Sequence, residues 1–259
     1  METEVRLGEL LVQDHEKLTE VHARSLDLLE NTGIHFYSER ARAILAGAGA
    51  QIDGDIVKMP AQVVESALAK APAQFTLHAR EPKHDLVVDG RQTYYSQDGC
   101  AAHTVDFETG ARRASTKADI SAMALISDYL DAVDIVSPTV SAQDVPPEGI
   151  VVHELEACFL NSGKHVLTES VTSAREAQAQ IELAATLVGG KDELRKRPIF
   201  SNFVCTISPL TQDHGGIEAA LEFAEAGVPV GIYPMATTGV TSPVTLAGTL
   251  AVANAEVIS

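Results

Sequence analysis

The sequence predicts an α/β fold: a partial (βα)8 TIM-type barrel of about five βα units, preceded by an N-terminal helical and antiparallel β region. Three observations carry this. After Ser115, apolar strand-like runs alternate with helical segments of roughly 10 to 16 residues, the pattern of parallel strands with helices outside them. Between Gln74 and Ala114, short alternating runs are separated by turn pairs such as Asp89-Gly90 and Thr109-Gly110, which reads as antiparallel β structure. Before that, helical patterns dominate. The expected division is an α+β region over residues 1–90 and an incomplete barrel over 91–259.

In chain order, the first helix covers 14–32, with Leu18, Val21, Leu26, Leu28 and Leu29 at roughly helical spacing. Asn31-Thr32-Gly33 ends it, Gly33 being suited to a left-handed cap. Ser38 caps a second helix over 39–48, which stops at Gly49. Asp53-Gly54 lies between Gln51-Ile52 and the run 56–59, a hairpin signal. Pro60 opens a third helix over 61–71. The short runs 75–78, 86–88, 93–95 and 103–105 supply the antiparallel region.

The barrel portion opens with a strand at 93–97. Helix 118–130 leads to strand 134–140, and helix 149–161 to strand 165–169. The helix capped by Ser173 and stopped by Gly189-Gly190 leads to strand 199–207. Helix 216–226 precedes strand 228–235, and a last helix begins near Pro243. Residues 245–259 read as a helix still in progress, so the chain is expected to be the front portion of a longer barrel. An open five-stranded sheet with helices on both faces is the alternative. No glycine-rich phosphate loop follows an early strand, which leaves a dinucleotide fold little support.

Composition narrows the function classes. The net charge is −17, and the one dense basic run, 191–197, is interrupted by Asp192 and Glu193. Phosphate binding needs clustered cations, so nucleic acid is not the expected partner. Cys100, Cys158 and Cys205 are an odd, widely spaced set without a C-x-x-C, so neither a disulfide framework nor a cysteine zinc site is indicated, and a reducing cytoplasm fits. Met1 to Leu11 carries three glutamates and reads as no signal peptide, and no apolar stretch approaches the ~20 residues of a membrane span. His214 with Glu218, and His153 with Glu156, have helical spacing that permits a metal face, but no third ligand stands near in sequence.

Several passages carry a family resemblance. They are Ser208-Pro209-Leu210, the A-L-E-F-A-E-A-G-V-P run ending at Pro229, P-M-A-T-T-G-V-T-S-P-V-T-L-A-G from Pro234 to Gly248, and Asn254-Ala255-Glu256. Leu28-Leu29-Glu30-Asn31-Thr32-Gly33-Ile34 and Asp106-Phe107-Glu108-Thr109-Gly110, the latter followed by Thr116 and Asp119, agree as well. Together they resemble the trimethylamine methyltransferase family over essentially the whole chain. The resemblance implies one-carbon metabolism: methyl transfer from trimethylamine, or from a quaternary amine such as glycine betaine, to a cob(I)amide. The corrinoid (cobalamin) is then carried by a separate corrinoid protein that docks on the barrel mouth, and none is bound directly. The D-x-H-x-x-G pattern that ligates cobalt through histidine is absent from this sequence. Trimethylamine enzymes of the family carry a pyrrolysine beyond the region matched by this chain, and other members lack it. A homo-oligomer is compatible with the resemblance.

Barrel sites lie at the C-terminal ends of strands, here Gln97 and Asp98, 139–144, Glu169, 203–206 and 233–237. For the implied substrate, Asp98 and Glu169 are candidates to pair with the cation, and Phe203 and Tyr233 to offer ring faces to a methylammonium. Structural roles compete with each. Asp98 before Gly99 suits a turn, Glu169 suits a helix cap, and rings inside apolar strands commonly belong to a core. Asn254-Ala255-Glu256 is as well explained by packing of a helix on a loop as by catalysis. Two other readings remain: a truncated, non-catalytic fragment acting as an interaction surface, and an unrelated barrel lyase, which needs a metal or a Schiff-base lysine.

Overall fold

The computed structural model describes residues 15–99, 101–169 and 171–259. Cys100 and the N-terminal stretch through Leu11 lie outside the described residues. The chain is a mixed α/β protein that divides into two compact units. The first comprises Met1–Pro72, Cys205–Asp213 and Tyr233–Ser259, and the second Ala73–Val204 and His214–Ile232. Sequence-distant segments thus join the first unit, where the sequence suggested one division at residue 90.

In the first unit, helix α1 (His15–Asp27) runs into a π-helical turn at Leu28–Thr32, so the expected single helix changes its winding. Gly33 closes that turn at φ 83°, its N–H on Leu28 O at 2.8 Å. A Cβ there would stand 2.7 Å from Ile56 Cγ2, so the position takes glycine for space as well as conformation. Strand β1 (Ile34–Phe36) follows, then α2 (Glu39–Gly47), whose N-cap Ser38 accepts from Ala41 N at 3.0 Å. The hairpin β2 (Gln51–Asp53) and β3 (Ile56–Lys58) forms where Asp53-Gly54 placed it, and α3 (Ala61–Leu68) follows Pro60. A two-residue strand at Thr211–Gln212 adds in parallel to β1, giving the order of that strand, β1, β3, β2. The helix at Leu246–Ile258, expected on the barrel, packs on α1. There Ser25 Oγ donates to Ala251 O at 2.9 Å and Asn254 Nδ2 to Ser25 Oγ at 2.9 Å.

The second unit begins with two antiparallel hairpins, β4 (Phe75–Leu77) with β5 (Leu86–Val88), and β6 (His103–Val105) with β7 (Arg112–Ala114). Helix α4 (Lys117–Tyr129) starts at a full capping box between Thr116 and Asp119. Then come β8 (Ile135–Val136), α5 (Ile150–Asn161), β9 (His165–Thr168), α6 (Ala174–Val188) and the short α7 (Lys191–Lys196). Next are β10 (Phe200–Cys205), β11 (the Thr211–Gln212 strand of the first unit), α8 (His214–Ala226), β12 (Val230–Tyr233) and α9 (the Leu246–Ile258 helix). Strands β8, β9, β10 and β12 lie side by side in chain order. The β8–β9 and β9–β10 pairs are parallel, and Asn202 N to Pro229 O at 3.0 Å continues the pattern to β12.

Two expected strands shrink. Residues 93–97 contribute one parallel bridge, Ser96 to Ile135, and 134–140 retain two strand residues plus a bridge from Val140 to Ala101. Pro138 interrupts the latter because it has no N–H to give a ladder. The helices bury one sheet face. Phe200 meets Phe159 of α5 and Phe223 of α8 edge-on, at 6.3 and 5.8 Å between ring centres, among Ile120, Leu155, Val166 and Ile181. Among the described residues no helix is long and apolar enough to cross a membrane.

Candidate functional site

Parallel strands leave their C-terminal ends to loops, and those loops build a cavity of about 240 Å3 in the second unit. Pro138, Val140, Pro147, Ile150 and Val151 give it apolar walls, and Ser141, Glu154, Glu169 and Glu176 give it polar ones. Glu169 follows β9 directly and is 8% exposed; Glu154, on α5, is 7% exposed. Glu154 Oε1 accepts the Ala142 N–H at 3.2 Å. Burial, with the Glu169 charge adding to it, raises the Glu154 carboxyl above the usual range against the lowering effect of Ala142 and Ser141. Glu176 is committed to its helix start, accepting from Thr172 N at 2.8 Å and Thr172 Oγ1 at 3.1 Å. A larger groove of about 390 Å3 lies on the outer helix layer between α6, α7 and α8. Its charges pair across it, as Lys191 does with Glu182, and it lies away from the C-terminal ends of the parallel strands.

The structure places the four expected residues differently. Glu169 lines the cavity, and the backbone after Asp98 reaches it. A Cβ on Gly99 would stand 2.9 Å from both Glu169 carboxylate oxygens and 2.7 Å from Pro138 O. Asp98 itself is exposed, its Oδ1 accepting the Gly99 N–H at 3.0 Å. Phe203 is half-buried and alternates with Asn202 and Val204, which are buried toward the helices. Its Cβ lies 3.5 Å from where a Cβ of Gly231 would be. Tyr233 ends β12 and is 57% exposed, so it belongs to no core. Glu154 escaped the sequence reading. Its signal was an acid on the helix face shared by Val151, Leu155 and Cys158, all of them buried.

Other titratable groups hold structure. His165 is fully buried between His78 O, 2.6 Å from Nδ1, and Ser201 Oγ, 2.8 Å from Nε2. Burial pushes it down to about 4, so it is neutral, with Nδ1 donating to the carbonyl. Asp85 collects Ala79 N at 2.8 Å, His78 Nδ1 at 2.9 Å and Arg197 Nη1 at 3.0 Å. Burial pushes its carboxyl up, but these partners outweigh that and hold it below the usual range. Buried Lys164 donates to Ser127 O, Leu130 O and Val133 O at 2.8, 2.8 and 2.6 Å. The Cys158 thiol is pushed up to about 12 by burial, which makes it inert. His153 and Glu156 share Lys117, whose Nζ donates to His153 Nδ1 at 3.0 Å and to Glu156. Among the described residues no group of three or more His, Cys, Asp or Glu side chains is placed to hold a metal ion.

Comparison with known proteins adds to this geometry. The profile of the family described as Trimethylamine methyltransferase (MTTB) matches residues 2–259. The trimethylamine methyltransferase MttB of Desulfitobacterium hafniense (strain DSM 10664 / DCB-2) is 36% identical over 245 residues, covering 94% of this chain and 49% of its own length. The glycine betaine methyltransferase of Desulfitobacterium hafniense (strain Y51) is 29% identical over 257 residues, covering 98% and 53%. The chain thus spans about half the length of the curated relatives it matches. The crystal structure of the Methanosarcina barkeri monomethylamine methyltransferase (MtmB) superposes with a TM-score of 0.60 over 95% of this chain and 50% of that one. At 14% identity this likeness concerns the fold.

Proposed function

The chain belongs to the trimethylamine methyltransferase family, and we propose that it serves to move a methyl group from a methylated amine, trimethylamine or a quaternary amine such as glycine betaine, to the cob(I)amide of a separate corrinoid protein. The observation that carries the reading is the cavity at the ends of β8 and β9, where two buried carboxylic side chains face apolar walls. Such a lining suits a small cation wrapped in methyl groups: the charge is met by a carboxylate and the methyls by proline, valine and isoleucine. In this reading the chain's work is to bind and orient the amine and to exclude water from it. Glu169 pairs with the cation. Glu154, its carboxyl raised by burial and by the Glu169 charge, is the less readily ionised of the two. Asp98 adds a more distant, solvated charge. Phe203 offers a ring from a strand position outside the helix-covered core. The methyl acceptor is a co-substrate brought by its own protein. The parallel, chain-ordered strands are read as part of a barrel whose mouth holds the site.

The test is methylcobalamin formation, followed by absorbance, when the 259-residue chain and a full-length protein containing it are each incubated with cob(I)alamin and a panel of methylated amines. A gain with at least one amine is expected from the full-length protein. No methylcobalamin from any amine, with or without a corrinoid protein, sinks the reading. One further observation favours a second role for the 259 residues alone, that of an interaction surface. Val240, Val244 and Leu246 are 79%, 81% and 71% exposed.

A further inference from the structure

The cavity wall from Pro138 to Ala142 has little ladder to shape it. Pro138 has no N–H to give, and Val140 makes a single bridge, to Ala101. Separate hydrogen bonds hold the stretch instead. From the feet of the β6–β7 hairpin, buried Ser115 Oγ donates to Ser141 O at 2.6 Å, and Ala101 O accepts the Ser141 N–H at 2.9 Å. From α5, Glu154 takes the next two groups. Its Oε1 accepts the N–H of buried Ala142 at 3.2 Å, and the Ser141 hydroxyl donates to the same carboxyl. Val140, Ser141 and Glu154 all line the cavity. There is little slack within it, since a Cβ on Gly99 would stand 2.9 Å from both Glu169 carboxylate oxygens.

We propose that Glu154 is a positioning residue, whose carboxyl holds Ser141 and Ala142 in place and so sets the width of the cavity in which the amine meets Glu169. The inference rests on the reading of this cavity as the amine site. It gives the two acids separate tasks, Glu169 as counter-charge and Glu154 as the clamp on the wall. It also accounts for an acid on a helix face otherwise made of Val151, Leu155 and Cys158.

Two readouts test it on the 259-residue chain: hydrogen exchange of the Ala142 amide, and the Kd for trimethylammonium chloride by calorimetry. Glu154→Met keeps the length and removes both acceptor oxygens. It is expected to speed the exchange and to raise Kd about tenfold. Glu154→Gln is expected to restore slow exchange and a Kd within about twofold of the parent, because its Oε1 keeps the Ala142 N–H and the Ser141 hydroxyl can turn to accept from its amide. Ser141→Ala removes one of the two donors and is expected to move both readouts in the direction of Glu154→Met. It decides the matter if that variant does not fold. Unchanged exchange in Glu154→Met and Ser141→Ala overturns the proposal. So does a Glu154→Gln variant that binds as weakly as Glu154→Met, since the acid then acts through its charge. Glu169→Gln separates the remaining causes. If exchange quickens while Kd holds, and Glu169→Gln raises Kd, the wall does not set the fit and the proposal falls. If Glu169→Gln leaves Kd unmoved as well, the amine sits elsewhere, and the reading of the cavity fails and takes the proposal with it.

Discussion

At the scale of single residues, the second unit carries its pH dependence on buried groups of opposite sign. His165 is neutral in the folded chain, pushed down to about 4 by burial. An unfolded histidine titrates near 6.5, so between these values the unfolded chain binds the extra proton. Stability is then complete above about 6.5 and falls as pH drops toward 4, by about 3 kcal/mol across the window. Urea titrations at half-unit steps from pH 7.5 to 4.5 are expected to trace that fall, and His165→Gln is expected to flatten it. Glu154 works the other way, since its raised carboxyl favours the folded state at low pH and weakens it as pH climbs through the raised value. The cavity itself offers a comparison between size and charge. Gly99→Ala adds one methyl where Glu169 and Pro138 already touch, and Glu169→Gln removes one charge at similar size. Both are expected to weaken amine binding about tenfold or more in calorimetry, with Gly99→Ala doing so at unchanged net charge. A Gly99→Ala variant that binds as well as the parent removes this cavity from consideration.

At the scale of elements, the readable parts of the sequence were those decided by neighbours in the chain. Thr116 and Asp119 mark a helix start because the capping box is local, and Ser38, Ser173 and Asp53-Gly54 were legible for the same reason. What escaped was decided at long range. Thr211–Gln212 is a strand only because β1 lies beside it, and 93–97 keeps a single bridge because its partner strand is two residues long. Residues 191–196, read in the sequence only as a basic run broken by two acids, form α7, with Leu194 buried, Lys191 paired with Glu182 and Arg195 donating to Glu225 O. Of the residues that line the proposed site, the strand ends pointed to Glu169, whereas Glu154 is brought beside it by the packing of α5. The join from α4 to β9 rests on Lys164, which satisfies three carbonyls at the helix end. Lys164→Met keeps the length and deletes the donors. It is expected to cost about 1 to 3 kcal/mol in urea unfolding, since the buried Ser127 carbonyl and the part-buried Val133 carbonyl lose the lysine as donor, while Leu130 O keeps the Val133 N–H.

For the whole molecule, surface composition sets behaviour that the net charge of −17 would otherwise mask. Val240, Val244 and Leu246 stand out on the first unit, and exposed apolar groups of this density promote association. The 259-residue chain is expected to self-associate with rising concentration in light scattering after gel filtration. The pair Val244→Asp and Leu246→Lys is expected to shift it toward monomer with its circular dichroism unchanged. The make-up of that same unit also bears on the order in which the protein comes into being. Ser25 of α1 bonds to Ala251 of α9, 226 positions later. At ribosomal rates of about 5 to 20 residues per second, α1 leaves the exit tunnel roughly 10 to 45 seconds before its partner exists. The second unit, all of it encoded between them, can settle in that interval. Helix α1 is therefore made early but finished only when α9 arrives, and until then Ser25 lacks both the Ala251 carbonyl and the Asn254 side-chain amide that it meets in the fold.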